Sequence, residues 1–300
     1  NQGAIAWSDK YVRTDAKAAE INKGKMREEA HKISLEAKER QLGSSVYQTE
    51  MMNNPAGSGD LYFDRPKIER LQKLAEEPIE VIAGLNIWQR YDARHRYSAG
   101  GDASEGVGLD SSAIALIDLS TTPAMVVATF EDNRIDQVAF AHELMRAGRM
   151  YGECFAVPEV NNGYAVVAEM VREEKDEKGK ITRRAYSNMY IRQQKDKTTG
   201  KVLRYYGFKT TLATKPEILA NFKAAVEDGH LVILDKGLLE ECRYYKRMDL
   251  RLMKAEQGAT RHFDKLMAAA LAWEGRLHAP APKEGREYRQ EPFKPRTKYG

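Results

Sequence analysis

Three carboxylates stand where apolar segments of the sequence begin or end. Asp102 closes a strand-like run in YSAGGDASEGVGLD, Glu159 follows the apolar run in FAVPEVNNG, and Asp264 opens the helix-like segment RHFDKLMAAALAWE. Carboxylates without histidine or cysteine partners suit hard cations such as Mg²⁺ or Mn²⁺. Two such ions, about 3.5–4 Å apart, can activate a water molecule and stabilise the leaving oxygen of a phosphodiester. The pattern therefore indicates metal-dependent hydrolysis of nucleic acid.

Each of these acids also has an ordinary structural interpretation. Asp102 can accept hydrogen bonds in a glycine-rich turn, and Glu159 can cap a helix that starts near Asn161. Asp264 in a first helical turn can interact with the helix dipole, which contributes about 0.3–1 kcal/mol. The three acids lie 57 and 105 residues apart, so only the fold can bring them together.

The segments around these acids predict a mixed α/β domain. From about residue 95, short runs rich in valine, isoleucine and alanine predict an antiparallel meander, and alternating helices and strands follow it. ECFAVPEV predicts a central strand, and NMYIRQQ and KVLRYYGFK, on either side of KDKTTG, predict a hairpin. TKPEILANFKAAVEDG has proline near its first turn and glycine after its end, as helices do. We therefore expect a mixed sheet flanked by helices.

The two ends of the chain differ from this central part. Residues 14–42 are charged and only weakly amphipathic, which is typical of a helix at a domain border. We predict a helical extension and linker over residues 1–94, with the linker itself between about Glu76 and Arg94. The main domain is predicted over residues 95–280. Residues 281–300 lack apolar periodicity and predict a disordered basic tail.

Composition excludes several classes of protein. A chain of 300 residues with 42% hydrophobic and 31% charged residues is an ordinary globular one. No apolar run approaches the ~18–20 residues that cross a bilayer, and the start lacks the features of a signal peptide. The absence of an initial methionine indicates an excerpt of a longer protein. Cys154 and Cys242, without local partner spacing, predict reduced core thiols in a cytosolic protein.

Basic residues cluster in one part of the sequence, although the net charge of the chain is only +4. Eight basic residues and a single acid, Asp196, lie between Arg183 and Lys209, with aromatic residues interleaved. A hairpin of this kind suits a phosphate backbone, although many solvated hairpins have the same composition. The residues predicted to contact DNA are Arg192, Lys195, Lys197, Lys201, Arg204 and Lys215.

Several segments together resemble one known family. In chain order they are YSAGGDASEGVGLDSSAIALID, AVPEVNNGYAVV, YGFKTTLATKPEILANFKAAVEDGHLVI and RHFDKLMAAALA. This combination resembles the nuclease domain of the large terminase subunit of tailed bacteriophages, over roughly residues 95–278. A weaker resemblance at YQTEMMNNPAGSGDLYF is to the segment that leaves the motor domain of that family.

The resemblance implies an RNase H-like fold and cleavage of concatemeric viral double-stranded DNA with two ions, Mg²⁺ or Mn²⁺. It also implies an upstream ATPase motor, the small terminase subunit and the portal protein as partners, in the cytoplasm of the bacterial host. No Walker A pattern occurs in this chain, so it is not the complete motor. No membrane association is expected.

By matching position, the resemblance makes Asp102, Glu159 and Asp264 the metal ligands. The last helix of the family usually starts with histidine and two aspartates, whereas this chain has Phe263 at the first aspartate. With one acid fewer, Mn²⁺ is expected to serve better than Mg²⁺. Small residues at 268–270 and 272 are expected to let this helix lie close to the sheet. Asp110 and His262 are expected to support the site, with a turn role favoured for Asp110.

Two alternative functions stay open. Another RNase H-like nuclease, such as a junction resolvase or a transposase, would use the same carboxylates. A noncatalytic DNA-binding or assembly module with a decayed site would account for Phe263. Low sequence specificity is expected in either nuclease, because no helix suited to reading base sequence is evident. His142, on an apolar helical face, is expected to be a packing residue.

Overall fold

A computed structural model describes residues 61–104, 111–161, 163–196, 199–251 and 263–281. The predictions for the N-terminal extension up to residue 60, for nearly all of the tail, and for Asp110, Lys197 and His262 lie outside the described residues. The chain divides into two units. Among the described residues, 61–65 and 243–248 belong to a small unit, and 66–242 and 249–281 belong to the main one.

The described residues form short helices and strands. The helices are α1 (Arg65–Gln72), α2 (Gln137–Met150), α3 (Tyr164–Met170), α4 (Thr214–Glu227), α5 (Lys236–Tyr244) and α6 (Asp264–Gly275), with a 3-10 turn at Arg247–Arg251. The strands are β1 (Glu80–Ile82), β2 (Leu85–Ile87), β3 (Tyr97–Asp102), β4 (Ser112–Asp118), β5 (Ala124–Asp132), β6 (Phe155–Pro158), β7 (Glu174–Lys175), β8 (Ile181–Arg183), β9 (Ile191–Lys195), β10 (Val202–Tyr206) and β11 (Leu231–Val232).

Seven of the described strands form a mixed sheet in the order β1-β2-β5-β4-β3-β6, with β11 beside β5. The predicted meander is confirmed, because β3, β4 and β5 pair antiparallel in sequence order. Strand β6 then pairs parallel with β3. The predicted hairpin is β9 and β10, which pair antiparallel outside this sheet. A further short pair, β7 and β8, follows α3.

Two adjacent glycines in β3 show how the layers are stacked. A Cβ atom on Gly100 would lie 1.9 Å from the carbonyl oxygen of Ala268 in α6, and one on Gly101 would lie 2.8 Å from the Leu144 side chain in α2. Neighbouring residues of a strand face opposite sides of the sheet. Helices α6 and α2 therefore cover opposite faces, and α6 approaches the sheet as closely as its small residues were expected to permit.

Two parts of the sheet differ from the prediction. The range expected to be a linker contains β1 and β2, which pair antiparallel around the turn at Ala83 and Gly84 and extend the main sheet. Strand β6 was expected at the centre but lies at the end of the strand order. Its apolar character has another cause: backbone segments around Met189 and Phe208 hydrogen-bond to its outer edge, so the strand is buried although it is terminal.

The small unit is held by backbone and ring contacts of its own. Leu61 forms a bridge with Lys246, the Tyr62 amide donates to the carbonyl of Tyr245 at 2.9 Å, and the Tyr62 and Tyr245 rings meet edge to face.

Both cysteines of the main unit are buried free thiols, as predicted. Burial raises the pKa of the Cys154 thiol to about 12 and that of Cys242 well above its usual value. Across the part of the chain that the structure describes, none of the helices combines the length and the apolar character that a bilayer crossing needs.

Candidate active site

The candidate site begins with a row of residues across the end of the sheet. Asp102 is the last residue of β3 and lies opposite Ala113 of β4, which lies opposite Glu131 of β5. On the other side, Gly101 lies opposite Pro158 of β6, and the Glu159 amide donates to the Gly101 carbonyl at 2.8 Å. Because neighbouring strands lie about 4.8 Å apart, this register sets Glu159 beside Asp102.

Alternation along β3 decides which face Asp102 occupies. Ser98 donates a hydrogen bond to the Ala272 carbonyl, and Gly100 lies against Ala268. Asp102, two residues further on, shares this face with them. As β3 advances from Ser98 to Asp102, the contacts on α6 move back towards its first residue, Asp264. The strand therefore ends where the helix begins.

Asp264 is held at this end by a backbone contact. Its carboxylate accepts a hydrogen bond from the Ser111 amide at 3.0 Å, and Ser111 directly precedes β4. A carboxylate in the first turn of a helix is also stabilised by the helix dipole. The structure thus brings the three predicted residues, Asp102, Glu159 and Asp264, to the same end of the sheet.

These three side chains are buried, with exposures of 1%, 7% and 2% for Asp102, Glu159 and Asp264. Oxygen donors in such a place fit a hard divalent cation. Within the described ranges, however, no three or more histidine, cysteine, aspartate or glutamate side chains are close enough together to hold a metal ion. The fit is therefore in donor type and position, while the carboxylate oxygens are not gathered around one point.

Lys265, which sequence reasoning missed, places a positive charge at this end of the sheet. Its side chain is nearly buried, and its ammonium nitrogen lies 3.2 Å from Glu131 and 3.4 Å from Asp235. Burial lowers the pKa of Lys265, but the carboxylates of Asp235 and Glu131 outweigh burial and raise it above its usual value. Lys265 therefore connects α6 to the end of β5 and to the start of α5 as a charged group.

Asp235 is fixed by several donors. Thr129 donates to it at 2.6 Å from β5, and the amides of Gly237 and Leu238 donate to its other oxygen at 2.7 and 3.2 Å. A buried carboxylate is tolerated when it is paired and fully hydrogen-bonded. Asp235 meets this condition, which makes it a fixed anchor for Lys265.

Glu241 of α5 is a further acid beside α6. Its carboxylate accepts a hydrogen bond from the Leu266 amide at 2.8 Å. Burial raises the pKa of Glu241 well above its usual range, and nearby Glu131 and Asp264 raise it further, against the lowering effect of the Leu266 amide. The acidic side chains around Asp264 therefore extend beyond the three predicted acids, and the raised pKa of Glu241 favours its protonated, neutral form.

Only some of the site residues that sequence reasoning missed carried a signal in the sequence. Glu131 in ATFED and Asp235 in VILDKG stand at the ends of apolar runs, as Asp102 and Glu159 do. Lys265 and Glu241 carry no such signal, since each lies within a helical segment. Their role becomes visible only once α5 and α6 are placed beside the sheet.

The basic hairpin emerges beside Glu159. The Val160 amide donates to the Phe208 carbonyl at 2.9 Å, and the Phe208 amide donates to the Pro158 carbonyl at 2.8 Å. These bonds fix the base of the hairpin to the chain on both sides of Glu159. Three of the predicted DNA contacts are exposed on its strands or turn, and Arg192 is partly buried. The exposed ones are Lys195, Lys201 and Arg204.

Two expectations from the sequence, each about a single residue, differ from the structure. Lys215 was predicted to contact DNA, but it is 4% exposed, and its ammonium donates to the Asp249 carbonyl at 2.8 Å. It is therefore not part of an exposed basic surface. His142 was expected to be a packing residue with its polar groups satisfied. Its Nε2 does have a partner, Glu169 Oε1 at 3.0 Å, but the side chain is partly exposed rather than packed in the core.

The chain resembles known proteins in its fold rather than in its sequence. No family model matches the chain, and no curated protein matches it. Among solved structures, the large terminase nuclease from thermophilic phage G20c with bound magnesium is 18% identical; the match covers 72% of this chain and 98% of that one, with a TM-score of 0.50. The same nuclease with bound cobalt gives the same values. The Thermus phage P74-26 large terminase nuclease domain is 19% identical over 70% and 94% of the two chains, with a TM-score of 0.46.

The fold of this chain is therefore that of a large terminase nuclease domain, a mixed sheet flanked by helices of the RNase H-like kind. This confirms the fold class that the sequence predicted. The match spans 98% of the G20c nuclease, so nearly all of that domain has a counterpart in this chain.

Proposed function

We propose that this chain is a metal-dependent endonuclease that cuts concatemeric viral double-stranded DNA during genome packaging. The observation that carries the proposal is the placement of Asp102 and Glu159 side by side, on the sheet face covered by the helix that Asp264 begins. The fold shared with the G20c terminase nuclease supports it. The magnesium and cobalt in the G20c structures support the use of divalent ions.

In this proposal Asp102, Glu159 and Asp264 hold Mg²⁺ or Mn²⁺. The more specific form of the proposal is that two ions bind together. Bound ions would supply a Lewis acid and an activated water for phosphodiester hydrolysis. The hairpin residues Lys195 and Lys201 bind the phosphate backbone and position it beside Glu159. Asp110 and His262 are proposed to support the ligands. The proposed partners are the small terminase subunit, the portal protein and an ATPase motor, in the host cytoplasm.

The buried Phe263, 5% exposed, favours one alternative, a noncatalytic DNA-binding module, because the resembling family usually carries an acid there. Plasmid nicking separates the two functions. We expect nicking with Mn²⁺, weaker nicking with Mg²⁺, and none with excess chelator. Asp102→Asn should abolish nicking while DNA affinity stays equal or rises slightly, because a negative charge is removed near the phosphates.

Asp132→Asn is the matched control. Asp132 ends β5 at the same end of the sheet, but it is the neighbour of Glu131 in the strand and therefore lies on the opposite face. This variant should nick like the parent. Nicking that persists in Asp102→Asn would contradict the metal assignment, and binding without nicking in the parent would favour the noncatalytic module.

A further inference from the structure

A cleft lies between α3 and the β9–β10 hairpin, directly after Glu159 in the chain. Its volume is about 530 Å³, which is within the ~300–1,000 Å³ of typical small-ligand pockets. Val160 and Asn161 form part of its wall, so it adjoins the candidate active site. The hairpin contributes basic and aromatic side chains to the opposite wall.

Arg192 is the chemically unusual residue in this wall. Its Nε and Nη1 atoms are buried, and among the described residues neither has a hydrogen-bond partner. Its guanidinium carbon lies 5.2 Å from the centre of the Tyr205 ring, in a cation–π contact. A buried donor without a partner is destabilising, and more so when it is charged. An acceptor that enters the cleft would remove this cost, and Arg204 and Lys209 in the same wall favour an anionic one.

Aromatic rings flank these donors. Tyr164, Tyr205 and Tyr206 line the cleft and are 78%, 40% and 46% exposed. Exposed rings next to basic side chains are the combination that binds single-stranded nucleic acid, because bases stack on the rings while the basic groups contact the phosphates. The faces of paired bases are already covered by their neighbours in a duplex, so these rings suit unpaired bases.

We propose that the cleft binds an unpaired segment of a DNA strand next to the scissile position. Tyr164 and Tyr206 stack on bases, and the Arg192 guanidinium turns towards the cleft to donate to a phosphate. This inference rests on the proposed nuclease function and specifies its substrate: a strand locally separated from its complement beside Glu159, with the duplex bound by the outer part of the hairpin.

The test is a binding measurement without divalent metal, so that it does not depend on cleavage. Fluorescence anisotropy is recorded in chelator with a labelled oligothymidylate of about 12 nucleotides, within the span of known single-strand sites, and with a labelled duplex of the same length. The double variant Tyr164→Ala/Tyr206→Ala should bind the oligothymidylate at least about tenfold more weakly. Its affinity for the duplex should change less than about twofold.

The matched control is Tyr164→Phe/Tyr206→Phe, which keeps the rings and should bind single strands like the parent. Arg192→Gln should also weaken oligothymidylate binding and lower its salt slope by about 0.7 for one lost phosphate contact. Arg90 follows β2, near the opposite end of the strand order from β6. Arg90→Gln should change neither the affinity for oligothymidylate nor its salt slope.

The proposal is overturned if the alanine variant binds single strands like the parent, or if its duplex affinity falls in parallel. These outcomes are distinct from failure of the nuclease proposal, which would appear as an absence of metal-dependent nicking while oligothymidylate binding is intact.

Discussion

At Gly100, the backbone of α6 packs directly against the sheet. An added Cβ would lie 1.9 Å from the Ala268 carbonyl oxygen and 2.5 Å from the Ala272 amide nitrogen, and both atoms belong to helix backbone. Backbone cannot move away as a side chain can, so α6 would have to shift as a whole. Since α6 carries Asp264, a methyl group at Gly100 affects both stability and the site.

We therefore expect Gly100→Ala to lower the free energy of unfolding by about 3 kcal/mol and to reduce metal-dependent nicking. The matched control is Gly101→Ala in the same strand, whose added methyl meets the flexible end of Leu144 at 2.8 Å. It should cost about 1 kcal/mol. Urea unfolding of both variants measures the difference, and equal costs would contradict the close approach of α6.

At the scale of elements, local sequence patterns predicted those helices and strands whose formation depends on residues that are close in the sequence. The β3–β5 meander, the β9–β10 hairpin and the helix from Thr214 follow from periodicity and turn residues, and all three are present. The terminal place of β6 was missed, because burial by non-strand backbone gives the same apolar run as burial between strands. The β1–β2 pair was missed because three-residue strands give little periodicity.

The candidate site likewise has a part that local sequence patterns reveal and a part that they do not. Acids at the ends of apolar runs could be picked out from the sequence, and the structure then places Asp102, Glu159 and Asp264 at one end of the sheet. Lys265 could not be found in this way. Its partners Glu131 and Asp235 come from separate segments, so its role depends on tertiary packing that no local pattern contains.

Lys195 and Lys201 are exposed positions at one end of the β9–β10 hairpin. Lys195→Gln/Lys201→Gln should weaken duplex binding and lower the slope of log affinity against log salt by about 0.9 for each lost phosphate contact, or about 1.8 in total. Cleavage should recover at high protein concentration, because the catalytic acids are unchanged.

Its control is Lys73→Gln/Arg90→Gln, which removes the same charge from exposed positions outside the hairpin. Gel-shift titrations at several salt concentrations give the slopes. An unchanged slope in the hairpin variant would mean that these lysines do not contact phosphate.

For the whole molecule, the distribution of charge matters more than the net charge of +4. Buried acids collect at one end of the sheet, and the basic hairpin is hydrogen-bonded to β6 beside them. A DNA phosphate backbone attracted by the hairpin would be repelled by the acids unless cations lie between the phosphates and the carboxylates. Metal binding and DNA cleavage are therefore expected to be coupled, and metal binding should also stabilise the fold.

Coupling of metal binding to folding should appear as a rise in thermal stability. A ligand that binds only the folded chain stabilises it by about 2.7 kcal/mol at one hundred times its dissociation constant, which for a domain of this size raises Tm by roughly 5–10 °C. Mn²⁺ should produce such a rise in the parent protein. Asp102→Asn should show a much smaller rise, although in chelator its Tm should equal or exceed that of the parent, because one buried negative charge is gone. Asp132→Asn controls for weak binding of Mn²⁺ to the many other acids and should follow the parent. Thermal unfolding with and without Mn²⁺ measures all three proteins, and equal shifts in the parent and Asp102→Asn would place metal binding away from this end of the sheet.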